Sequence, residues 1–402
     1  MTPALDDDLL TPRATADPYA LFAELRAHDP VHWSAQHRAW LLTRYDDVSA
    51  AFADKALSND RVRPVRAARQ ARGEGAGAAD RVLELIGEWM VVSDPPAHTR
   101  LRKLAAGAFR TQRISAMDAR ITALVDELLD GFTGGDLIAG LAYPLPATVI
   151  GAMLGAPPED RDRFRGWSDE LALVAFGTGG SARAERHERA LAGLREMDAY
   201  FRELIARRRV EPGEDMLSAM MGSDSGDRLT DDELSAMCAL LLFAGHETTT
   251  NSIANAVLAL LRHPAELARL RAEPALLAPA VEELLRFDGP IKVVNRWVVA
   301  ETEIGGRRIE PGQRVHLVLA AANRDPDRFA HPDTVDLARS PNPHVAFGKG
   351  IHACIGAQLA RMETRIAVGR VVERMPGLAL AAEPVWKPVL ASRALEALEV
   401  VR

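Results

Sequence analysis

The sequence predicts a single, mainly α-helical domain with a small β portion, an α+β chain built as one body. Two patterns lead there. Apolar residues recur at three- and four-residue spacing through residues 94–287, the period of helices packed against a core. Strand-like runs appear at 37–43 and again at 293–318, the second broken by turns at Gly305-Gly306 and Pro311-Gly312. The glycine-rich stretches 73–77 and 177–180 read as loops too short to separate domains, and no internal repeat is visible. One domain over residues 1–402 is therefore expected, with 1–15 as a flexible N-terminal segment.

Composition narrows the function classes. A hydrophobic share of 48% and a charged share of 26% place the chain among ordinary globular proteins. Net charge is 49 − 56 = −7 with no concentration of Lys and Arg, which argues against a nucleic-acid partner. Two cysteines, Cys238 and Cys354, are too few for a disulfide framework or zinc ribbon and fit a reducing cytoplasm. The first eight residues have neither a basic start nor an apolar run, so no signal peptide is expected. The longest apolar stretch, 236–245, is too short to span a bilayer, and no membrane anchor is expected.

Along the chain, Asp94-Pro95-Pro96 opens a helix, proline being favoured in a first turn. His98 and Arg102, four apart, share one of its faces. Thr230 with Glu233 forms a capping box for the longest helix. Nothing breaks it before His263-Pro264, so it runs for roughly thirty residues, about 45–50 Å. His246, Glu247, Thr248, Thr249, Thr250 and Asn251 cluster in its middle, with apolar turns on both sides. Polar groups in mid-core mark a site rather than a surface. Cys238, earlier on the same helix, reads as core packing. Glu283 and Arg286 lie one turn apart on a later helix, a spacing that by itself gives only a weak ion pair.

The most informative stretch is Phe347-Gly348-Lys349-Gly350-Ile351-His352-Ala353-Cys354-Ile355-Gly356. It sets a cysteine after a glycine-punctuated loop and just before a helical pattern (Ala357, Leu359, Ala360, Met362). Helix-start amides stabilise negative charge, so Cys354 is expected to be biased toward thiolate, the form that ligates metals. Gly348 and Gly350 permit positive φ and close approach to a flat ligand, while Gly356 leaves room beside it.

This loop resembles the haem-thiolate loop of cytochromes P450, and Ala244-Gly245-His246-Glu247-Thr248-Thr249 resembles that family's oxygen-activation motif. The resemblance runs from about residue 28 to the C-terminus and is weakest at 60–92 and 164–224, regions that cover the pocket in the family. It implies haem b, iron protoporphyrin IX, between a long distal helix and the proximal cysteine-loop helix. Cys354 would be the axial iron ligand, embraced by Phe347, Gly348, Gly350 and Gly356. Ala244 and Gly245 would leave space for the porphyrin and O2, with Glu247 and Thr248 as catalytic proton donors. His98, Arg102, Arg296 and His352 match propionate-binding positions. Glu283, Arg286 and Arg339 match a buried structural ion network. Met90, Val91, Leu240, Ala244, Ile291, Val293, Val294 and Leu390 match substrate-pocket positions; Lys292 and Asn295 would add polarity if turned inward.

The implied activity is a monooxygenase that hydroxylates or epoxidises a lipophilic small molecule with O2, in bacterial natural-product biosynthesis or catabolism. No flavin- or ferredoxin-like segment is present, so electrons are expected from a separate ferredoxin and ferredoxin reductase, docking near Lys349, Arg110 and Arg113. A monomer in the cytoplasm is expected. Two other outcomes share the scaffold: phenol coupling, dehydration or peroxide-driven oxidation, and a non-catalytic haem sensor or recruitment module. The sensor has no need of both the thiolate loop and the Glu247–Thr248 pair.

Overall fold

The longest helix, Asp231–Arg262, runs for 32 residues, and helices 144–153, 183–210, 277–288 and 357–374 pack along it. The computed structural model describes residues 7–73, 77–177, 183–222 and 227–402. The capping box forms as expected: the Glu233 amide donates to Thr230 Oγ1 at 3.2 Å, and the Thr230 amide to Glu233 Oε2 at 2.9 Å. The helix stops at Arg262 because the residue before Pro264 is pushed out of helical geometry; His263 has φ −123° and ψ 70°. Cys238 is fully buried in this helix, and burial pushes its thiol pKa well up, as befits core packing.

The β portion flanks this helical body. Its main sheet has five strands in the order Val31–Ser34, Ala39–Leu42, Arg314–Val318, Val293–Val298, Leu57–Ser58. The hairpin Thr302–Ile304/Arg307–Ile309 turns on Gly305 and Gly306, with φ of 57° and 76°, the geometry that glycine supplies without strain. A three-stranded sheet joins Gly135–Asp136, Glu399–Val401 and Ala379–Leu380. The runs at 37–43 and 293–318 do hold strands, whereas Val31–Ser34, Leu57–Ser58 and the three-stranded sheet lie outside them, and helices extend beyond 94–287 at both ends. The glycine-rich stretches 73–77 and 177–180 lie largely outside the described residues. No described helix is long and apolar enough to cross a membrane.

Within the segment 1–15 expected to be flexible, the described residues from Asp7 onward pack against the body. Leu9 is buried with Phe22, Leu25, Leu41, Val293 and Val318, and its amide donates to His37 Nε2 at 3.0 Å. Thr11 caps helix Pro12–Ala16, and the Arg393 guanidinium donates to the carbonyls of Thr15 and Ala16. One apolar side chain and one arginine suffice to hold it.

Glu283 and Arg286 are far more than a surface pair. Both side chains are fully buried and meet through two bonds of 2.7 Å, a fork-on-fork geometry. Arg339 donates to the same carboxylate at 3.0 and 3.1 Å, joined by Asn342 Nδ2 at 3.2 Å and the Asp336 amide at 2.9 Å. The remaining guanidinium donors take the carbonyls of Asn323, Ala330, His331, Pro332 and Thr334. Removing the carboxylate with Glu283→Ala is expected to cost on the order of 3–5 kcal/mol, and Asn342→Ala about 1 kcal/mol. Denaturant titration reads both. If Glu283→Ala abolishes folding, the milder Asn342→Ala still tests the network, and two unchanged midpoints would contradict it.

Candidate active site

From Met237 to Leu260 every residue of the long helix is buried except Ala244, Gly245 and Thr248. Ala244 and Thr248 are one turn apart, so a single stripe of an otherwise enclosed helix faces accessible space. Thr248 Oγ1 donates to the Ala244 carbonyl at 2.8 Å, leaving its lone pairs on that stripe. Glu247 is buried and accepts a long hydrogen bond from Asn251 Nδ2 at 3.4 Å. His246 turns the other way, its Nδ1 on the Leu242 carbonyl and its ring edge-on to Tyr143.

Gly245 departs from expectation. A Cβ there would lie 3.0 Å from Ile150 Cγ1 and 3.2 Å from Cδ1, so its missing side chain serves contact with helix Pro144–Met153 rather than clearance for a ligand. Ala244 alone supplies the small exposed position.

The cysteine loop is held by backbone bonds. The Cys354 amide donates to the Phe347 carbonyl at 2.9 Å, that of Ala353 to Gly350 at 3.1 Å and that of Gly348 to Val345 at 2.9 Å. Gly348 and Gly350 have φ of 67° and 70°, and a Cβ on Gly350 would lie 3.3 Å from the Phe52 carbonyl. Gly356 precedes helix Ala357–Arg374. Phe347 lies under the Arg361 guanidinium at 4.3 Å, and Arg361 is itself forked on Glu282 at 2.6 and 3.0 Å.

Cys354 is accessible although it lies deep among protein atoms, so it lines a recess rather than the outer surface. The expected bias toward thiolate is reversed. Burial raises the pKa, and the Gly356 amide, Arg102 and Arg361, which favour the thiolate, do not offset it. A cation in the recess is what such a sulfur lacks.

Beside the loop lies a concentration of basic side chains. The His98 and His352 rings approach to 3.9 Å between centroids. His98 is buried with neither ring nitrogen hydrogen-bonded, and burial followed by Arg102 lowers its pKa. Burial, with His98 and Arg296 next, pushes His352 down to about 3. Arg102 donates to the Ala353 carbonyl at 2.7 Å. Arg296 has only its neighbour's Asn295 carbonyl at 2.9 Å and the Phe52 ring at 5.5 Å, and burial, then Arg61, lowers it to about 10. Arg61, itself lowered by burial, is a member that sequence reasoning missed. Its segment has no fixed spacing to the others, so only the fold brings it here. Among the described residues Asp94 is the one carboxylate whose field reaches this group, and it already accepts from Ser58 Oγ and the Asn59 amide. Such a set is short of anions.

The proposed pocket residues separate. Strand alternation turns Val293 and Asn295 away, Val293 into the cluster with Leu9 and Leu41 and Asn295 opposite His316, so Val293 does not line the recess. Met90 and Leu240 are buried within the helical core. Val91, Ile291, Val294 and Leu390 keep accessible surface.

Unpaired cations, an accessible sulfur and a small-residue stripe fit a flat dianion carrying a metal, and haem is such a group. Helical body, flanking sheet and donor set together define a thiolate-ligated haem protein. The Cytochrome P450 family profile matches residues 183–376. The chain is 40% identical to cytochrome P450 monooxygenase PikC of Streptomyces venezuelae, over 99% of this chain and 94% of that one. It is 41% identical to vitamin D(3) 25-hydroxylase of Pseudonocardia autotrophica, over 93% and 90%. The structure of P450BioI in complex with hexadec-9Z-enoic acid ligated acyl carrier protein superposes with a TM-score of 0.89 at 36% identity, covering 97% and 99%. The chain belongs to the cytochrome P450 family, a haem b monooxygenase that uses O2 and electrons from transfer partners.

Gly245→Val is expected to destabilise the fold by about 1–3 kcal/mol, and Ile150→Ala in the same chain to recover part of that loss. Thermal denaturation of the four-member cycle reads it. A Gly245→Val protein of full stability that fails to take up haem would contradict the packing role.

Proposed function

We propose that this chain hydroxylates or epoxidises a lipophilic small molecule, with Cys354 holding the haem iron and the Ala244–Thr248 stripe facing the reacting centre. The observation that supports this most strongly is that stripe: three accessible residues in a helix otherwise buried from Met237 to Leu260. His98, Arg102, Arg296 and His352 hold the two propionates, and Arg61 joins them. The depressed pKa values of His98, Arg296, His352 and Arg61 rise when the carboxylates arrive. When bound, haem supplies the iron at which O2 is activated, one oxygen atom entering the substrate and the other leaving as water.

The chain's own residues manage protons, water and orientation. Thr248 Oγ1, whose own proton is engaged by the Ala244 carbonyl, uses its lone pairs to hold a water that carries the proton at the edge of the recess. Glu247, held by Asn251, replenishes it from the protein interior. Val91, Ile291, Val294 and Leu390 exclude water and hold an apolar ligand by shape.

Electrons come from a separate ferredoxin and its reductase, docking on the cysteine side. Arg110 and Arg113 are exposed there and suit an acidic partner. Lys349, also expected in that surface, is instead drawn inward, its Nζ bonded to Tyr45 OH at 3.0 Å and Ser49 Oγ at 2.8 Å.

Cys354→Ala is expected to lose the thiolate-type Soret band of the reduced carbon monoxide complex; persistence of that band refutes the ligand assignment. Thr248→Val, with haem content unchanged, is expected to lower product formation about a hundredfold. Equal turnover by wild type and variant removes the proton role. Reversing charge at Arg110 and Arg113 is expected to slow reduction by ferredoxin about tenfold while sparing substrate affinity, and unchanged stopped-flow rates contradict that docking face.

A further inference from the structure

Arg361 stands in the second turn of helix Ala357–Arg374, the helix that follows Cys354. Its guanidinium carbon lies 4.3 Å from the centre of the Phe347 ring. The Phe347 carbonyl accepts from the Cys354 amide at 2.9 Å, so the ring under the cation belongs to the residue that fixes the sulfur's own backbone. Glu282 holds the guanidinium through a fork, Nε to Oε1 at 2.6 Å and Nη2 to Oε2 at 3.0 Å. His344 holds the glutamate. Its Nδ1 accepts from the Ala346 amide at 3.2 Å, which leaves Nε2–H to donate to Glu282 Oε2 at 3.0 Å. The His344 ring stands 6.3 Å from that of Phe347, so four side chains close a circuit beside the cysteine loop.

A half-exposed arginine and glutamate ordinarily form a loose pair of little consequence. Here the neighbours remove that freedom, and the cation is kept where its field reaches the Cys354 sulfur and favours negative charge there. Arg102 reaches the sulfur as well, but it is bonded to the Ala353 carbonyl and meets a propionate in the proposed site, which offsets its charge. We propose that Arg361, clamped by Glu282 over Phe347, tunes electron entry: its fixed charge favours the reduced iron–thiolate unit and raises the reduction potential of the bound haem. This rests on the reading of Cys354 as the iron ligand. When ferric iron takes one electron from reduced ferredoxin, the unit of porphyrin, iron and thiolate gains one negative charge, and no bond or proton changes place. A cation held nearby stabilises that added charge by Coulomb attraction. Groups around an axial ligand are an established lever on haem potential, and Arg361 supplies one that does not touch the sulfur.

The test is a spectroelectrochemical titration of the holoenzyme with dye mediators and no ferredoxin, so that partner docking does not enter. Arg361→Met is expected to shift the equilibrium toward ferric iron by about threefold to tenfold, a fall in midpoint of up to about 59 mV. Arg361→Lys keeps the charge without the fork and is expected to recover part of that fall. Glu282→Gln breaks the same fork but removes an anion, so its midpoint is expected to hold or rise. If Arg361→Met takes up no haem, Arg361→Gln reads the same shift. Equal falls in Arg361→Met and Glu282→Gln would assign the effect to loop packing and overturn the proposal, as would an unchanged midpoint in Arg361→Met. A wild-type holoenzyme lacking the thiolate-type carbon monoxide band would overturn the haem-site reading instead, so the two failures are distinguishable.

Discussion

Glu283 carries a charge with no exposure to water, and four donors converge on it: two guanidiniums, one amide side chain and one backbone N–H. Desolvating a carboxylate and two arginines is strongly unfavourable, and only nearly complete pairing makes the arrangement tolerable. The donors left over on Arg286 and Arg339 reach carbonyls between Asn323 and Thr334, in a stretch that forms no regular helix or strand beyond Ala322. The ion cluster therefore substitutes for secondary structure. The next residue faces another part of the same chain segment: Glu282 binds His344 and Arg361, and although burial opposes it, those two partners hold its pKa at about 2. Arg361 in turn covers Phe347. Two consecutive glutamates on helix Leu277–Asp288 thus fix the approach to the cysteine loop, and the position of Cys354 depends on both.

The loop so positioned is electrostatically incomplete. Its sulfur is pushed toward the neutral thiol by burial, and burial followed by neighbouring basic groups depresses His98, His352 and Arg296 beside it. The two defects have opposite sign. A macrocycle bearing a cationic metal at its centre and two carboxylates at its edge answers both at once, which explains why neither defect is repaired by protein groups.

Much of this was legible in the residues. The capping box of Thr230 and Glu233, the stop before Pro264 and the polar band around Glu247 fixed the long helix and marked its working turn. Local rules determine such features, so a sequence displays them. What it hid depends on partners far away in the chain. Arg61 joins the cations only because strand Leu57–Ser58 pairs with Val293–Val298. Gly245 looked like space for a ligand until Ile150 was found against it, and Lys349 looked free until Tyr45 and Ser49 engaged it. Val293, Val294 and Asn295 are consecutive, and only the register with Val318, Leu317 and His316 decides which way each points. Leu9 likewise gives no local sign that it closes a cluster with Phe22 and Leu41.

The central claim is that Cys354 contributes the sulfur bound to haem iron in a site whose other half is the Ala244–Thr248 stripe. X-ray absorption at the iron edge of the purified ferric protein tests it most directly. The account predicts one sulfur scatterer at bonding distance in the wild type, absent from Cys354→Ser and retained in Cys238→Ser. A coordination shell of nitrogen and oxygen alone in the wild type, or a sulfur that survives Cys354→Ser, would contradict it.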